Sequence, residues 1–150
     1  MKTNSASLKP LRVLLVEDNP ADARLVQETL KEGRLLVELT VARDGFEALQ
    51  ILGNTKPAEL PDLVLLDLNL PRKSGFEVLE EIKANELLRS IPIVIMTTSD
   101  ADKDVVRSYN LHANAFITKP VALEEFIDTI RKTEEFWLTI VRYPSRNAYG

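Results

Sequence analysis

Apolar runs of strand length alternate with stretches of helical period along this chain. LRVLLVED (11–18), LLVELTVA (35–42), DLVLLD (62–67), IPIVIMTTS (91–99) and NAFITKP (114–120) are short and rich in branched aliphatic residues. Such runs read as strands buried on both faces. The segments between them carry helix punctuation. In 19–33, Asn19 is placed to cap, Pro20 suits the first helical position and Gly33 the stop, with Leu25, Val26, Thr29 and Leu30 at helical spacing. Residues 44–52 predict a short helix with Phe46, Leu49 and Leu52 facing inward, and 74–88 a longer one marked by Phe76, Leu79, Ile82 and Lys83. The stretch 53–61, with two prolines and a glycine, predicts a loop. Residues 101–111 predict a further helix, and a last one starts at Leu123.

Strand followed by helix, repeated about five times, implies a parallel sheet covered on both faces. Right-handed crossovers then give an open, doubly wound α/β sheet. The 150 residues fit one domain, and 45% apolar residues suffice for a full core. The absence of cysteine excludes disulfides, a Cys-based zinc site and a thiol nucleophile. MKTNSASLKP lacks the apolar stretch of a signal peptide, and no run reaches the ~20 residues that span a bilayer. A soluble cytoplasmic protein without membrane partners is expected. The net charge of −4 supplies no global field for nucleic acid.

Ligands of such sheets gather beyond the carboxyl ends of the strands. The first strand ends in Glu17-Asp18, the third in Asp67, the fourth in Thr97-Thr98 and the fifth in Lys119-Pro120. Each residue alone has an ordinary reading as a cap, a solvated acid or a surface lysine. Their joint placement along one sheet edge favours a site. Neighbouring carboxylates repel unless a counter-ion is present. Hard oxygen donors of net negative charge suit Mg²⁺, with Lys119 as an added point charge and Thr97 as a hydroxyl donor.

VLLVEDNP, Ala42 with DGFEAL (44–49), DLVLLDLNLPRKSG, IPIVIMTTS and AFITKP together resemble the receiver domain of two-component response regulators, from about Leu11 to Arg131. The resemblance implies a flavodoxin-like, five-stranded parallel sheet of order 2-1-3-4-5 with five helices. It makes Asp67 the phosphoacceptor that attacks a phosphohistidine of a partner histidine kinase. It gives Mg²⁺ to Asp18, Asp67 and the backbone carbonyl of Asn69, with Glu17 holding the ion through water. Lys119 pairs with Asp67 and then with the phosphoryl group, and Thr97 bonds a phosphoryl oxygen. A phosphoacceptor signalling protein is implied, one that catalyses its own phosphorylation and slow dephosphorylation, rather than an enzyme acting on other substrates. Thr97 and Phe116 form the switch. Phe116 stands where Tyr is common, so the switch works by packing, and Glu17 stands where many members have Asp.

After Pro120 about 30 residues remain, too few for a DNA-binding output domain. Output through an unidentified downstream protein is expected. The division read from the sequence is an arm (1–10), the receiver (11–132) and an extension (133–150). A helix from Leu123 to Val141 would run ~28 Å. Its apolar groups, including Phe136, Trp137, Leu138 and Val141, crowd several faces, which predicts a homodimer. EEFWL, SYNLHANAFITKP and the proline-bearing loop before the third strand resemble phytochrome-associated receivers of cyanobacterial type, so the implied kinase is a phytochrome. His112, the single histidine, reads as a loop residue rather than a phosphate relay.

Rival readings are weaker. An Mg²⁺-dependent phosphatase of the haloacid dehalogenase type would carry DxD after its first strand, whereas Asp67 follows the third and position 69 is Asn. A receiver-like binding module that takes no phosphate would not need the full set of acids, Thr97 and Lys119. A flavodoxin-like cofactor carrier would need a phosphate-cradling loop after the first strand, where Glu17-Asp18 repel phosphate unless a metal is bound.

Overall fold

In the computed structural model the described residues are 10–32, 36–97, 115–119, 121, 122, 124, 125 and 128. The strands are β1 (Leu11–Val16), β2 (Val37–Ala42), β3 (Leu63–Asp67), β4 (Ile93–Thr97) and β5 (Ala115–Thr118). The helices are α1 (Pro20–Glu32), α2 (Gly45–Asn54) and α3 (Gly75–Ala84), and Glu124, Glu125 and Asp128 are also helical. The strands form one sheet in the order β2-β1-β3-β4-β5, every neighbouring pair parallel, as expected for a flavodoxin-like receiver fold. The expected helix at 101–111, His112 and the dimer residues Phe136, Trp137, Leu138 and Val141 lie outside the described residues, as do residues 1–9 of the arm.

The sheet divides the core by residue parity, because successive side chains of a strand point to opposite faces. Leu14, Val16, Val64, Leu66, Ile93 and Ile95 pack with Ala48 and Leu52 of α2 and Val78, Leu79 and Ile82 of α3. Val13, Leu15, Leu63, Leu65, Val94, Met96 and Ile117 pack on the other face with Ala23, Val26 and Leu30 of α1. The central strands are buried on both faces, which is why they read as unbroken apolar runs. Edge strand β2 alternates half-buried Val37, Leu39 and Val41 with exposed Glu38 and Thr40.

Side chains fix the helix starts. Asn19 Oδ1 accepts from the N–H groups of Ala21 and Asp22 at 2.8 and 3.1 Å. Asp44 Oδ1 accepts from Glu47 N at 2.8 Å. Ser74 and Glu77 form a reciprocal capping box.

Three expectations change. Phe46 does not face inward: it is 55% exposed, and Gly45 and Ala48 take the core side of α2. A Cβ at Gly45 would lie 2.6 Å from Val78 Cγ2, so the approach of α2 to α3 leaves no room for a large inward group there. The ring of Phe46 instead carries the cations of Arg72 and Lys73, at 5.9 and 5.1 Å from its centroid. The third helix ends at Ala84 rather than Leu88, because Asn85 Oδ1 accepts from Leu87 N and Leu88 N and starts a separate turn. Lys83, one of the residues that mark that helix's period, is half-buried, and its Nζ donates to the carbonyls of Arg89 at 3.0 Å and Ile91 at 3.4 Å. Burial holds its pKa below the ordinary lysine value. The 53–61 loop contains a 3-10 turn at Pro57–Glu59.

Two glycines test this packing. A Cβ at Gly75 would stand 2.3 Å from the Asp67 carbonyl oxygen and 2.7 Å from Leu68 Cα, both backbone atoms. Gly75→Ala is expected to cost about 1–3 kcal/mol, the usual range for overpacking. At Gly53, nothing lies within 4 Å of the added Cβ, and Gly53→Ala is expected to stabilise by about 0.5–1 kcal/mol. Urea unfolding of both variants checks the pair; a wild-type midpoint for Gly75→Ala would contradict the close approach.

Candidate functional site

The parity that sorts the core also assembles the site. Val13 and Leu15 lead to Glu17, Leu63 and Leu65 lead to Asp67, and Ile117 leads to Lys119. All three polar residues thus continue the face covered by α1, beyond the carboxyl ends of three strands. Glu17 and Asp67 are 1% and 3% exposed. Asp18, one residue on from Glu17, is exposed.

Lys119 Nζ lies 2.7 Å from Glu17 Oε1 and 3.2 Å from Asp67 Oδ2. It also lies 3.1 Å from Asp22 Oδ2, in the first turn of α1. Asp22 did not emerge from the sequence reading. The available signal was an acid three residues past the Asn19 cap, on a helix that starts where the acidic strand ends. The second oxygens are held by backbone: Asn19 N donates to Glu17 Oε2 at 3.1 Å, and Asn69 N donates to Asp67 Oδ1 at 3.0 Å.

Of the other expected residues, Thr97 is the last residue of β4, with its Cα opposite Thr118, and its side chain lies outside the described part. Phe116 pairs with Ile95 in the β4–β5 register and packs, half-buried, on the α2/α3 side of the sheet. It therefore sits on the opposite face from Lys119. The loop after β3 returns to α3 through Arg72, whose φ of 62° is left-handed. Its guanidinium pairs with Asp44, the cap of α2, and this ion pair with the Phe46 ring fixes the turn.

The electrostatics follow from burial and count. Burial pushes the Glu17 carboxyl up to about 7, against the opposing pull of Lys119 and the Asn19 N–H, and the charge of Asp67 adds to the rise. Burial works against the charge of Lys119, but Glu17, Asp67 and Asp22 outweigh it and raise its pKa above the ordinary lysine value. Three carboxylates, Glu17, Asp22 and Asp67, share this one ammonium, and a fourth, Asp18, lies beside Glu17 and Asp67.

Glu17, Asp18 and Asp67 each offer an oxygen, all within 4.8 Å of one another. Glu17 Oε1 is buried and has no well-aligned hydrogen bond among the described residues; its partner is the charge of Lys119. An excess of hard oxygen donors around an under-satisfied buried oxygen fits a small divalent cation.

A parallel 2-1-3-4-5 sheet with a buried acid at the end of β3, two further acids after β1 and a lysine after β5 is the architecture of a receiver domain. Residues 13–131 match the response regulator receiver domain family, and the chain belongs to it. Response regulator Rcp1 of Synechocystis sp. is 46% identical over 139 residues, covering 91% of this chain and 95% of Rcp1. The crystal structure of the phosphorylated cyanobacterial phytochrome response regulator RcpA is 44% identical, with a TM-score of 0.72 over 87% of this chain and 95% of its own. The Mn²⁺-bound form of Rcp1 is 47% identical, with a TM-score of 0.68 over 88% and 97%. Among the described residues, no helix is long and apolar enough to cross a membrane.

The raised Glu17 pKa has a consequence for stability. The folded state holds this proton up to about pH 7, while an unfolded Glu releases it near 4.5. Between those values the folded state binds more protons, so stability from this group falls as pH rises. Metal-free wild type is expected to lose more stability between pH 5 and 7.5 than metal-free Glu17→Gln, as read from urea midpoints. Parallel pH profiles would show that Glu17 is ionised well below 7.

Proposed function

We propose that the protein accepts a phosphoryl group on Asp67 from the phosphohistidine of a histidine kinase. The observation that carries this reading is the buried Asp67 carboxylate, with Lys119 Nζ 3.2 Å from one oxygen and two further carboxylates within metal-ligating distance. An Asp67 oxygen attacks phosphorus as the phosphorus–nitrogen bond breaks, and the electron pair leaves with the imidazole. Such transfer needs little covalent help beyond the nucleophile, but its equatorial oxygens must be neutralised.

Glu17, Asp18, Asp67 and the carbonyl of Asn69 would hold Mg²⁺, with Glu17 acting through water. The bound ion would supply charge neutralisation on the phosphoryl oxygens. Lys119 moves its ammonium from the Asp67 carboxylate toward the phosphoryl group, and Thr97 offers its hydroxyl to a phosphoryl oxygen. Phe116 responds by repacking, since it has no hydroxyl to bond. The same site hydrolyses the acyl phosphate slowly. Similarity to RcpA and Rcp1 along most of each chain supports a phytochrome as the kinase. The signal passes to a downstream protein. The apolar crowding of Phe136, Trp137, Leu138 and Val141 supports a homodimer built on the 133–150 extension.

Asp67→Asn is expected to fold and to abolish labelling by acetyl phosphate or by a phosphorylated histidine kinase. Undiminished acyl-phosphate labelling of that variant would remove the assignment. Asp18→Ala is expected to weaken Mg²⁺ binding by more than about tenfold, because one carboxylate leaves a site that needs several; a metal titration with wild-type affinity would place the ion elsewhere. In sedimentation experiments the wild type is expected to dimerise at tens of micromolar (an order-of-magnitude scale for weak interfaces), and folded Trp137→Glu to dissociate. A monomeric wild type would end the dimer proposal.

A further inference from the structure

Asp22 lies outside the group of three acids that can share a metal, yet it touches the lysine those acids surround. Four contacts close a ring. Asn19 N donates to Glu17 Oε2, Asn19 Oδ1 accepts from Asp22 N, Lys119 Nζ donates to Asp22 Oδ2, and Lys119 Nζ approaches Glu17 Oε1. The helix that carries Asp22 grips the segment that carries Lys119 at a second point. Seven residues along α1, or about two turns, Thr29 Oγ1 donates to Val121 O at 3.5 Å. Along this stretch of α1, Ala23, Val26 and, just past Thr29, Leu30 share a core with Ile117 and Val121. The position of Asp22 relative to Lys119 is therefore set by packing rather than by a free surface encounter.

We infer that Asp22 is a positioning residue for Lys119, a seat for its ammonium that competes with the phosphoryl group on Asp67. This rests on the phosphoacceptor reading above. When Glu17, Asp18 and Asp67 turn toward a metal, Asp22 is the carboxylate in contact with Lys119 that is left over. Its side chain is 39% exposed, so its hold on the ammonium is that of a partly screened pair. A phosphoryl group must draw Lys119 away from it. Asp22 thus sets how fully Lys119 neutralises the acyl phosphate, without touching the reacting atoms itself.

The test uses the full chain with Mg²⁺ and two probes: beryllofluoride as a mimic of the acyl phosphate, and acetyl phosphate as donor. Asp22→Asn keeps the shape and removes the charge. It is expected to bind beryllofluoride about two- to fivefold more tightly, the range for a partly exposed charge pair, and to lower KM for acetyl phosphate with kcat nearly unchanged. Asp22→Glu, which keeps the carboxylate, is expected to return both values toward wild type. Glu28→Gln removes a charge from the same helix more than a turn away and is expected to change neither. A folded Asp22→Asn with wild-type or weaker beryllofluoride affinity would overturn the inference. So would Glu28→Gln matching its effect, since the field of the helix and not the contact with Lys119 would then be responsible. Acyl phosphate on wild-type Asp67, detected by mass spectrometry, keeps the two readings distinguishable: without it the phosphoacceptor proposal fails first.

Discussion

One ammonium group organises the carboxyl edge of this sheet. Glu17 and Asp67 are almost fully buried, and burying an ionised carboxylate is costly unless a partner is supplied. Lys119 is the partner for both, arriving from the end of β5 across the width of β3 and β4. Losing one member of a buried ion pair typically costs about 3–5 kcal/mol, because the survivor is left uncompensated. Here the burden is shared unequally. Burial pushes the Glu17 carboxyl up to about 7 even though Lys119 stands 2.7 Å from one oxygen and the Asn19 N–H holds the other, while Asp67 has Lys119 at 3.2 Å and the Asn69 N–H.

The backbone around Asp67 is constrained as closely as its charge. Gly75 allows the start of α3 to touch the Asp67 carbonyl, and Gly45 allows α2 to lie against α3. The loop between β3 and α3 then turns back through Arg72 in a left-handed conformation, which few non-glycine residues adopt. The ion pair to Asp44 and the stacking on Phe46 hold that turn from outside. Asn69 lies on this loop, so the latch on the surface and the site beneath it share one piece of backbone. Phe46 is exposed because its work is to carry cations rather than to fill the core.

The two faces of the sheet have separate tasks. The α1 face ends in the charged residues and in Asp22. The other face, packed with α2 and α3, carries Phe116. Asp67 and Phe116 therefore lie on opposite sides of the sheet, with the buried strands β3 and β4 between them.

Much of this was fixed by local sequence. The five strands were legible because strands buried on both faces need unbroken apolar runs, and the cap at Asn19 was legible because a side-chain oxygen acts within three residues of itself. Glu17, Asp18, Asp67 and Lys119 could be placed on one sheet edge because the order of strands and helices implies where strand ends meet. What local pattern could not decide was contact between distant segments. Phe46 has the spacing of a core residue, and only the closeness of α2 to α3 and the arrival of Arg72 and Lys73 turn it outward. Lys83 lies on the inward stripe of α3 and is accommodated because the carbonyls of Arg89 and Ile91 come round to meet its ammonium. Asp22 looks like any acid in a first helical turn, where the helix dipole favours it. It becomes part of the site because α1 packs against the exit of β5, 97 residues away in sequence, and brings its carboxylate within 3.1 Å of Lys119.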